Sequence, residues 1–287
     1  MKQIPARNFF EGYGEIIIAS ILWGLAGIFA KKIAGMPAQS IIFYRVSFAF
    51  VIIFLFLLVS GNLNRIRLKD KKAYLLLFSI LQAATMLAFF TSVLKASVSV
   101  AVLLLYTAPV YITVLSPVLL KESLTWREII ALVLSLTGII FIVGPAKLDI
   151  SQSAGILAGI LAGISYAFQV LTSKYIGRTY AGYTQAFWGF MVAVLILLPI
   201  GIAPADVVSD NITYLVLLAI FPTILAVSLY FNGLKKVKTS SASILGLIEP
   251  VSAIVLAVLI LGEKLTVPVI TGGALILVGA AIVTQDK

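Results

Sequence analysis

Ten apolar stretches follow one another along this chain, each long enough to cross a membrane and joined to the next by a short link. A membrane-spanning helix needs about 20 mostly apolar residues, because the hydrocarbon core of a bilayer is about 30 Å thick. That core holds no water, so every backbone polar group needs a partner within the protein, and a helix supplies it. The sequence therefore predicts an all-α integral membrane protein with ten transmembrane helices. The predicted spans are 15–34, 39–60, 73–94, 98–119, 126–144, 154–176, 182–201, 213–234, 240–261 and 266–284.

The composition agrees with a membrane protein and excludes several kinds of site. Of 287 residues, 61% are hydrophobic and 11% are charged, whereas a soluble domain carries about 25% charged residues. The chain has no Cys and no His, which removes disulfides, thiolate nucleophiles, histidine bases and the usual zinc ligands. We therefore expect no metal, no cofactor and no nucleic-acid partner. The expected partners are the lipid bilayer and a small-molecule substrate.

The basic residues are distributed unevenly between the two sides of the membrane. If the N-terminus is cytoplasmic, 15 Lys and Arg residues fall on the cytoplasmic side, 5 fall on the other side, and Arg45 lies within a span. Cytoplasmic loops carry an excess of Lys and Arg in membrane proteins. We expect a multi-pass protein of the cytoplasmic membrane with both termini in the cytoplasm.

The two halves of the chain resemble each other. A shift of 141 residues lays 90–143 on 231–284 without gaps. Each repeat then contains five spans, and because five is odd, the second copy enters the membrane upside down. Inverted repeats of this kind recur in transporters, with the binding site at their interface. The sequence predicts two inverted five-helix repeats, 15–144 and 154–284, in one transport domain. Identical residues that meet include Pro109 and Pro250, Glu122 and Glu263, and Gly138 and Gly279.

The ninth span carries a carboxylate, Glu249, directly before Pro250. An ionisable residue inside the membrane is expensive and is a functional-site hypothesis by default. The proline removes a backbone donor and tends to kink the helix. Glu249 is therefore a candidate for proton coupling or for contact with a substrate amine. The alternative is a carboxyl group that is hydrogen-bonded to a neighbouring helix and serves packing alone.

Several polar or aromatic side chains from different spans lie at similar depth. At about 1.5 Å per residue, Trp23, Gln82, Tyr106 and Glu249 lie roughly 12–14 Å from a helix start, and Tyr166 lies slightly deeper. These depths are close to the membrane midplane. We interpret this level as a substrate cavity lined by these five residues. The alternatives are packing for the aromatic residues and an interhelical hydrogen bond for Gln82.

Arg45 and three prolines complete the candidate residues. Arg45 lies about 9 Å from the outer end of its helix. It could bind a substrate carboxylate or snorkel to the outer headgroups. Pro109, Pro222 and Pro250 lie roughly 13–18 Å deep by the same rise. They are candidate hinges, although membrane helices also tolerate proline without any hinge.

Two further carboxylates, Glu122 and Glu263, lie just past the fourth and ninth spans. Carboxylates are favourable near the N-terminal end of a helix dipole. We expect each of them to cap the start of the helix that follows it.

Several of these motifs together resemble the EamA type of the drug/metabolite transporter superfamily, with one five-helix repeat in each half. The resemblance implies movement of small metabolites by alternating access, as export or less often import. One departure is Ala108, which lies where the repeat would place a partner for Glu249, so any role of this carboxylate is asymmetric. The motifs are Trp23-Gly24, Arg45, AP at 108–109, EP at 249–250, LLKESLT at 119–125, LILGEKLT at 259–266, Gly138 and Gly279.

Together, the residues and the resemblance predict a secondary transporter of small organic metabolites, amino acids or related compounds first, by export across the cytoplasmic membrane. No enzymatic activity is expected. The alternative is a membrane-embedded enzyme acting on a lipid or small molecule, and a third reading is a non-transporting scaffold. The fifth and tenth spans carry no ionisable residue at depth, which suits packing or the contacts of a homodimer.

Overall fold

The computed structural model describes residues 6–144 and 152–285, with the side chains of residues 6–10 left out. Within these ranges, ten helices are long and apolar enough to span a membrane. The prediction of an all-α membrane protein with ten spanning helices is confirmed. The helices are α1 Ala6–Lys31, α2 Ala38–Val59, α3 Lys72–Lys95, α4 Val98–Leu120, α5 Trp126–Val143, α6 Ser153–Ile176, α7 Gly182–Gly201, α8 Ile212–Leu234, α9 Thr239–Leu261 and α10 Val267–Thr284. A 3₁₀ turn, Leu63–Ile66, and a short helix, Ala205–Asp210, lie in loops.

Three of the spanning helices are irregular near their middle, and each irregularity contains a predicted hinge proline. The helix α4 is divided into Val98–Leu105 and Ala108–Leu120, with Pro109 at the start of the second part. In the same way, α9 is divided into Thr239–Gly246 and Ile248–Leu261, which contains Pro250.

The third irregularity lies in α8, where Ile220–Leu225 forms a π-helical turn that contains Pro222. Proline has no N–H to donate to the carbonyl four residues earlier, so the regular α-helical ladder is interrupted at each of these places. That these positions act as hinges stays a prediction.

The helix packing has a regular pattern between the halves. Three contacts each have a counterpart. The contact of α3 with α6 corresponds to that of α8 with α1, and the contact of α4 with α6 corresponds to that of α9 with α1. The contact of α3 with α7 corresponds to that of α8 with α2. Exchanging the first five helices with the last five turns each contact into its counterpart, while the contacts α2–α7 and α5–α10 are unchanged. This pattern is consistent with the predicted inverted repeat.

The contact between α5 and α10 shows the same relation at the level of single residues. A Cβ atom added to Gly138 would lie 2.5 Å from the carbonyl oxygen of Gly272, and one added to Gly279 would lie 2.8 Å from that of Ala131. The shift of 141 residues carries Gly138 to Gly279 and Ala131 to Gly272, so one contact is made twice. A twofold axis produces such self-complementary contacts. A homodimer formed through these helices stays a prediction.

The start of α5 corrects one expectation from the sequence. Its N-terminus is closed by a capping box. The hydroxyl of Thr125 accepts a hydrogen bond from the backbone N–H of Glu128 at 3.3 Å, and the buried carboxylate of Glu128 accepts one from the backbone N–H of Thr125 at 2.9 Å. The carboxylate of Glu122 instead accepts one from the backbone N–H of Thr239 at 2.7 Å, at the start of α9. The expectation that Glu122 caps the helix that follows it is wrong, because Glu128 already holds that place in a capping box.

Candidate functional site

A cavity of about 330 Å³ lies at the centre of the bundle. Its volume is at the lower end of the range of about 300–1,000 Å³ found for ligand pockets. Residues of α1, α2, α3, α4, α6, α8 and α9 line it, so both halves contribute. The lining includes all six residues predicted for the site, namely Trp23, Arg45, Gln82, Tyr106, Tyr166 and Glu249. The structure thus brings them together, while their role in binding a substrate stays a prediction.

Two opposite charges face this cavity. Among the described residues that line it, Arg45 and Glu249 are the charged ones. They are near enough to attract each other electrostatically, yet no direct ion pair joins them among the described contacts. No described residue donates a hydrogen bond to the Glu249 carboxylate. Two unpaired opposite charges can each meet one charge of a dipolar ligand.

The guanidinium of Arg45 is fixed from one side by α8. Its Nε donates a hydrogen bond of 2.6 Å to Oγ1 of Thr223, which is fully buried. The side chain of Arg45 lines the cavity and is bonded to the π-helical turn of α8, and its role in binding a substrate carboxylate stays a prediction.

An amide pair occupies another part of the wall. Gln82 is 4% exposed, and its Oε1 accepts a long hydrogen bond of 3.4 Å from Nε2 of Gln169. Among the described residues, the Nε2 of Gln82 is buried and has no acceptor. A Cβ atom on Gly189 of α7 would lie 2.2 Å from Oε1 of Gln82, so a larger residue there would displace the end of the Gln82 side chain.

Gln169 was missed by the sequence analysis. It lies three residues after Tyr166 and therefore on the same face of α6. A glutamine inside an apolar span is the signal that could have found it.

Trp23 reaches the cavity at a close contact between α1 and α9. Its ring packs against Tyr230 of α8, with ring centroids 4.9 Å apart. A Cβ atom on the next residue, Gly24, would lie 2.5 Å from Oγ of Ser252. That hydroxyl also donates to the carbonyl of Ile21 at 2.9 Å. Trp23 therefore places its ring in the cavity wall, and Gly24, which has no side chain, lets α9 pack closely against α1.

The breaks in α4 and α9 both face the cavity. Tyr106 lies at the break in α4 and lines the cavity together with Leu105. Pro109 supplies no N–H to the carbonyl of Leu105, and Pro250 supplies none to that of Gly246, which also lines the cavity. Each half therefore presents an irregular backbone segment to the cavity, which is where membrane proteins tolerate such segments.

A cavity with charged groups at the centre of ten spanning helices, lined by broken helices from both halves, is an arrangement typical of membrane transporters. The family model of the EamA-like transporter family matches residues 11–144 and 153–285. The chain belongs to this family, which confirms the resemblance found in its motifs, and it is a multi-pass membrane transporter. The division into repeats at 15–144 and 154–284 stays a prediction.

Similar proteins are transporters by their names. The chain is 31% identical to an uncharacterized transporter of Archaeoglobus fulgidus, over 96% of this chain and 97% of that one. It is 28% identical to the uncharacterized inner membrane transporter YicL of Salmonella typhimurium, over 96% of each chain. A solved crystal structure superposes with a TM-score of 0.82 at 18% identity and covers 98% of this chain and 99% of that one, which shows the fold.

Proposed function

We propose that this protein is a secondary transporter that exports small metabolites carrying both an ammonium and a carboxylate group across the cytoplasmic membrane. Amino acids with apolar side chains are the first candidates. Transport occurs by alternating access, with both termini in the cytoplasm. The observation that carries the proposal is the pair of charges, Arg45 and Glu249, in a cavity whose other walls are mostly apolar and aromatic.

Charge complementarity supports this substrate class. A zwitterion that leaves water loses the solvation of two charges, and only opposite charges in the site can offset that loss. The guanidinium of Arg45 matches a carboxylate in geometry, and Glu249 matches an ammonium group. Side chains such as Ile42, Met86 and Phe89 form an apolar wall for the rest of the substrate.

The isolation of Glu249 supports coupling to protons. In a low-dielectric cavity, a carboxylate without a hydrogen-bond donor is stabilised by a cation or by becoming neutral. The substrate ammonium and a proton therefore compete for the same oxygen atoms. Alternate occupation of one carboxylate by proton and substrate produces antiport, in which proton entry drives substrate export.

The cavity favours transport over the alternative of a membrane-embedded enzyme. Catalysis needs a nucleophile, a base or an oxyanion site that converge on one reacting atom. The sequence has neither His nor Cys, and the described lining supplies one carboxylate.

The test is flux of labelled L-leucine into liposomes that contain the purified protein. We expect saturable uptake that an acidic lumen accelerates, since protons then leave as substrate enters. Arg45→Gln and Glu249→Gln should each lower uptake at least about tenfold, because each leaves one substrate charge unmatched. Glu249→Gln should also abolish the response to the pH gradient.

Matched controls are Arg178→Gln and Asp206→Asn, which change the same functional groups at exposed positions and should retain uptake. The proposal would be contradicted if the folded protein transported no amino acid. It would also be contradicted if the Arg45 and Glu249 variants showed unchanged flux.

A further inference from the structure

A buried threonine outside the cavity wall connects the π-helical turn of α8 to the charged site. Pro222 has no N–H to donate to the carbonyl four residues earlier, that of Leu218. The hydroxyl of Thr223 takes its place and donates to this carbonyl at 2.7 Å. Thr223 is fully buried, and it is not among the residues that line the cavity.

This first hydrogen bond fixes the direction of the second. A threonine hydroxyl has one proton and two lone pairs, and the proton of Thr223 is committed to Leu218. Its oxygen can therefore only accept from Arg45, whose Nε lies 2.6 Å away. Two hydrogen bonds therefore link the carbonyl of Leu218, through the hydroxyl of Thr223, to the guanidinium of Arg45.

The geometry points to Thr223 as a positioning residue that orients Arg45 and thereby sets the preference of the cavity for substrates with a carboxylate. This inference rests on the proposed function. Holding the Nε leaves the two terminal nitrogen atoms of the guanidinium for the ligand, and these two nitrogens can bind both oxygens of a carboxylate. π-Helical turns occur frequently at functional sites, and here the turn supplies the acceptor that holds the arginine.

Three probes separate the two charges of the ligand: L-leucine, 3-methylbutylamine, which lacks the carboxylate, and 4-methylpentanoate, which lacks the ammonium group. Binding to the purified protein in detergent is measured by titration calorimetry. Thr223→Val, which keeps the shape but removes both hydrogen bonds, should weaken binding of the two carboxylates about tenfold or more. Binding of the amine should change less than about twofold.

Thr223→Ser keeps the hydroxyl and should restore carboxylate binding. Thr113→Val is the matched control, because Thr113 is buried in α4 and its hydroxyl has no partner among the described residues. In an Arg45→Gln background, Thr223→Val should have no further effect on any probe, since its influence passes through the arginine.

A measurement without ligand tests the hydrogen bond between Arg45 and Thr223. In the empty protein, the Nε–H of Arg45 should exchange slowly with water by NMR, and Thr223→Val should accelerate this exchange at least tenfold. Equal weakening of all three probes by Thr223→Val, or no change in exchange and binding, would overturn the inference. If no probe binds wild-type protein, the proposed substrate class fails, while the exchange measurement still decides the role of Thr223.

Discussion

Two ion pairs at opposite ends of the bundle occupy equivalent places in the two halves, yet they differ in burial. Glu122 and Glu263 coincide under the shift of 141 residues, and each pairs with a lysine near the end of the first helix of the other half. The pair Lys174–Glu122 has side chains that are 17% and 14% exposed. The side chains of Lys31–Glu263 are 60% and 48% exposed.

The less exposed pair, Lys174–Glu122, belongs to a wider set of contacts at the basic end, the end formed by loops 60–71, 121–125, 177–181 and 235–238. Lys174 also donates to the carbonyl of Leu234 at 2.8 Å and to that of Val237. The exposed pair at the opposite end has no further hydrogen bond among the described residues.

The difference shows that the contacts at the basic end are less exposed and more numerous than those of the equivalent pair at the opposite end. Breaking a buried ion pair leaves an uncompensated charge and costs about 3–5 kcal/mol, whereas an exposed pair contributes about 0–1 kcal/mol. In the alternating access proposed above, both ends open in turn, and we expect the larger barrier to opening at the basic end.

The largest expected effect on stability comes from removing the carboxylate of Glu122. Glu122→Ala leaves Lys174 without its anion and Thr239 without its cap, so the free energy of unfolding should fall by about 3–5 kcal/mol. The same change at the equivalent position, Glu263→Ala, should lower it by less than about 1 kcal/mol. Denaturation of the two variants in detergent measures both values, and similar losses would remove the contrast between the ends.

Closure of the basic end can be measured directly, because the natural chain has no cysteine. A Val237→Cys variant places a thiol beside Lys174 at a position that is 2% exposed. We expect slow reaction with a charged thiol reagent, and at least about tenfold faster reaction when Glu122→Gln is added. Fast reaction in the single variant would show that this end is already open to water.

The smallest effect is expected at the exposed pair. Lys31→Gln should change L-leucine flux less than twofold, and the remaining effect should vanish at 1 M salt, where screening acts over about 3 Å. Flux assays at low and high salt provide the comparison. A loss of flux as large as that caused by Glu249→Gln would mean that the Lys31–Glu263 pair controls the opening of its own end of the bundle.

The sequence predicted the parts of this molecule that depend on local composition. Ten spans follow from apolar length, and Arg45 and Glu249 stand out because charge is rare in such stretches. The breaks near Pro109 and Pro250 follow from the missing N–H. These features need no knowledge of which helices are neighbours.

The partners of those residues could not be predicted, because they depend on how helices rotate against each other. Thr223 and Arg45 are 178 positions apart, and nothing local marks the threonine as an acceptor. Glu122 shows the same limit, since its backbone partner Thr239 is 117 positions away.

The turns that end the fourth helix of each half, α4 and α9, have the same backbone conformation but different residues. The residue after α4 is Lys121 with φ 57°, and the residue after α9 is Gly262 with φ 68°. A left-handed conformation costs a residue with a Cβ atom roughly 1–2 kcal/mol, which glycine avoids. The two halves thus form the same sharp turn with a lysine in one and a glycine in the other. The cost of the left-handed lysine is smaller than the net stability of a folded domain, about 5–15 kcal/mol, so the rest of the structure can offset it.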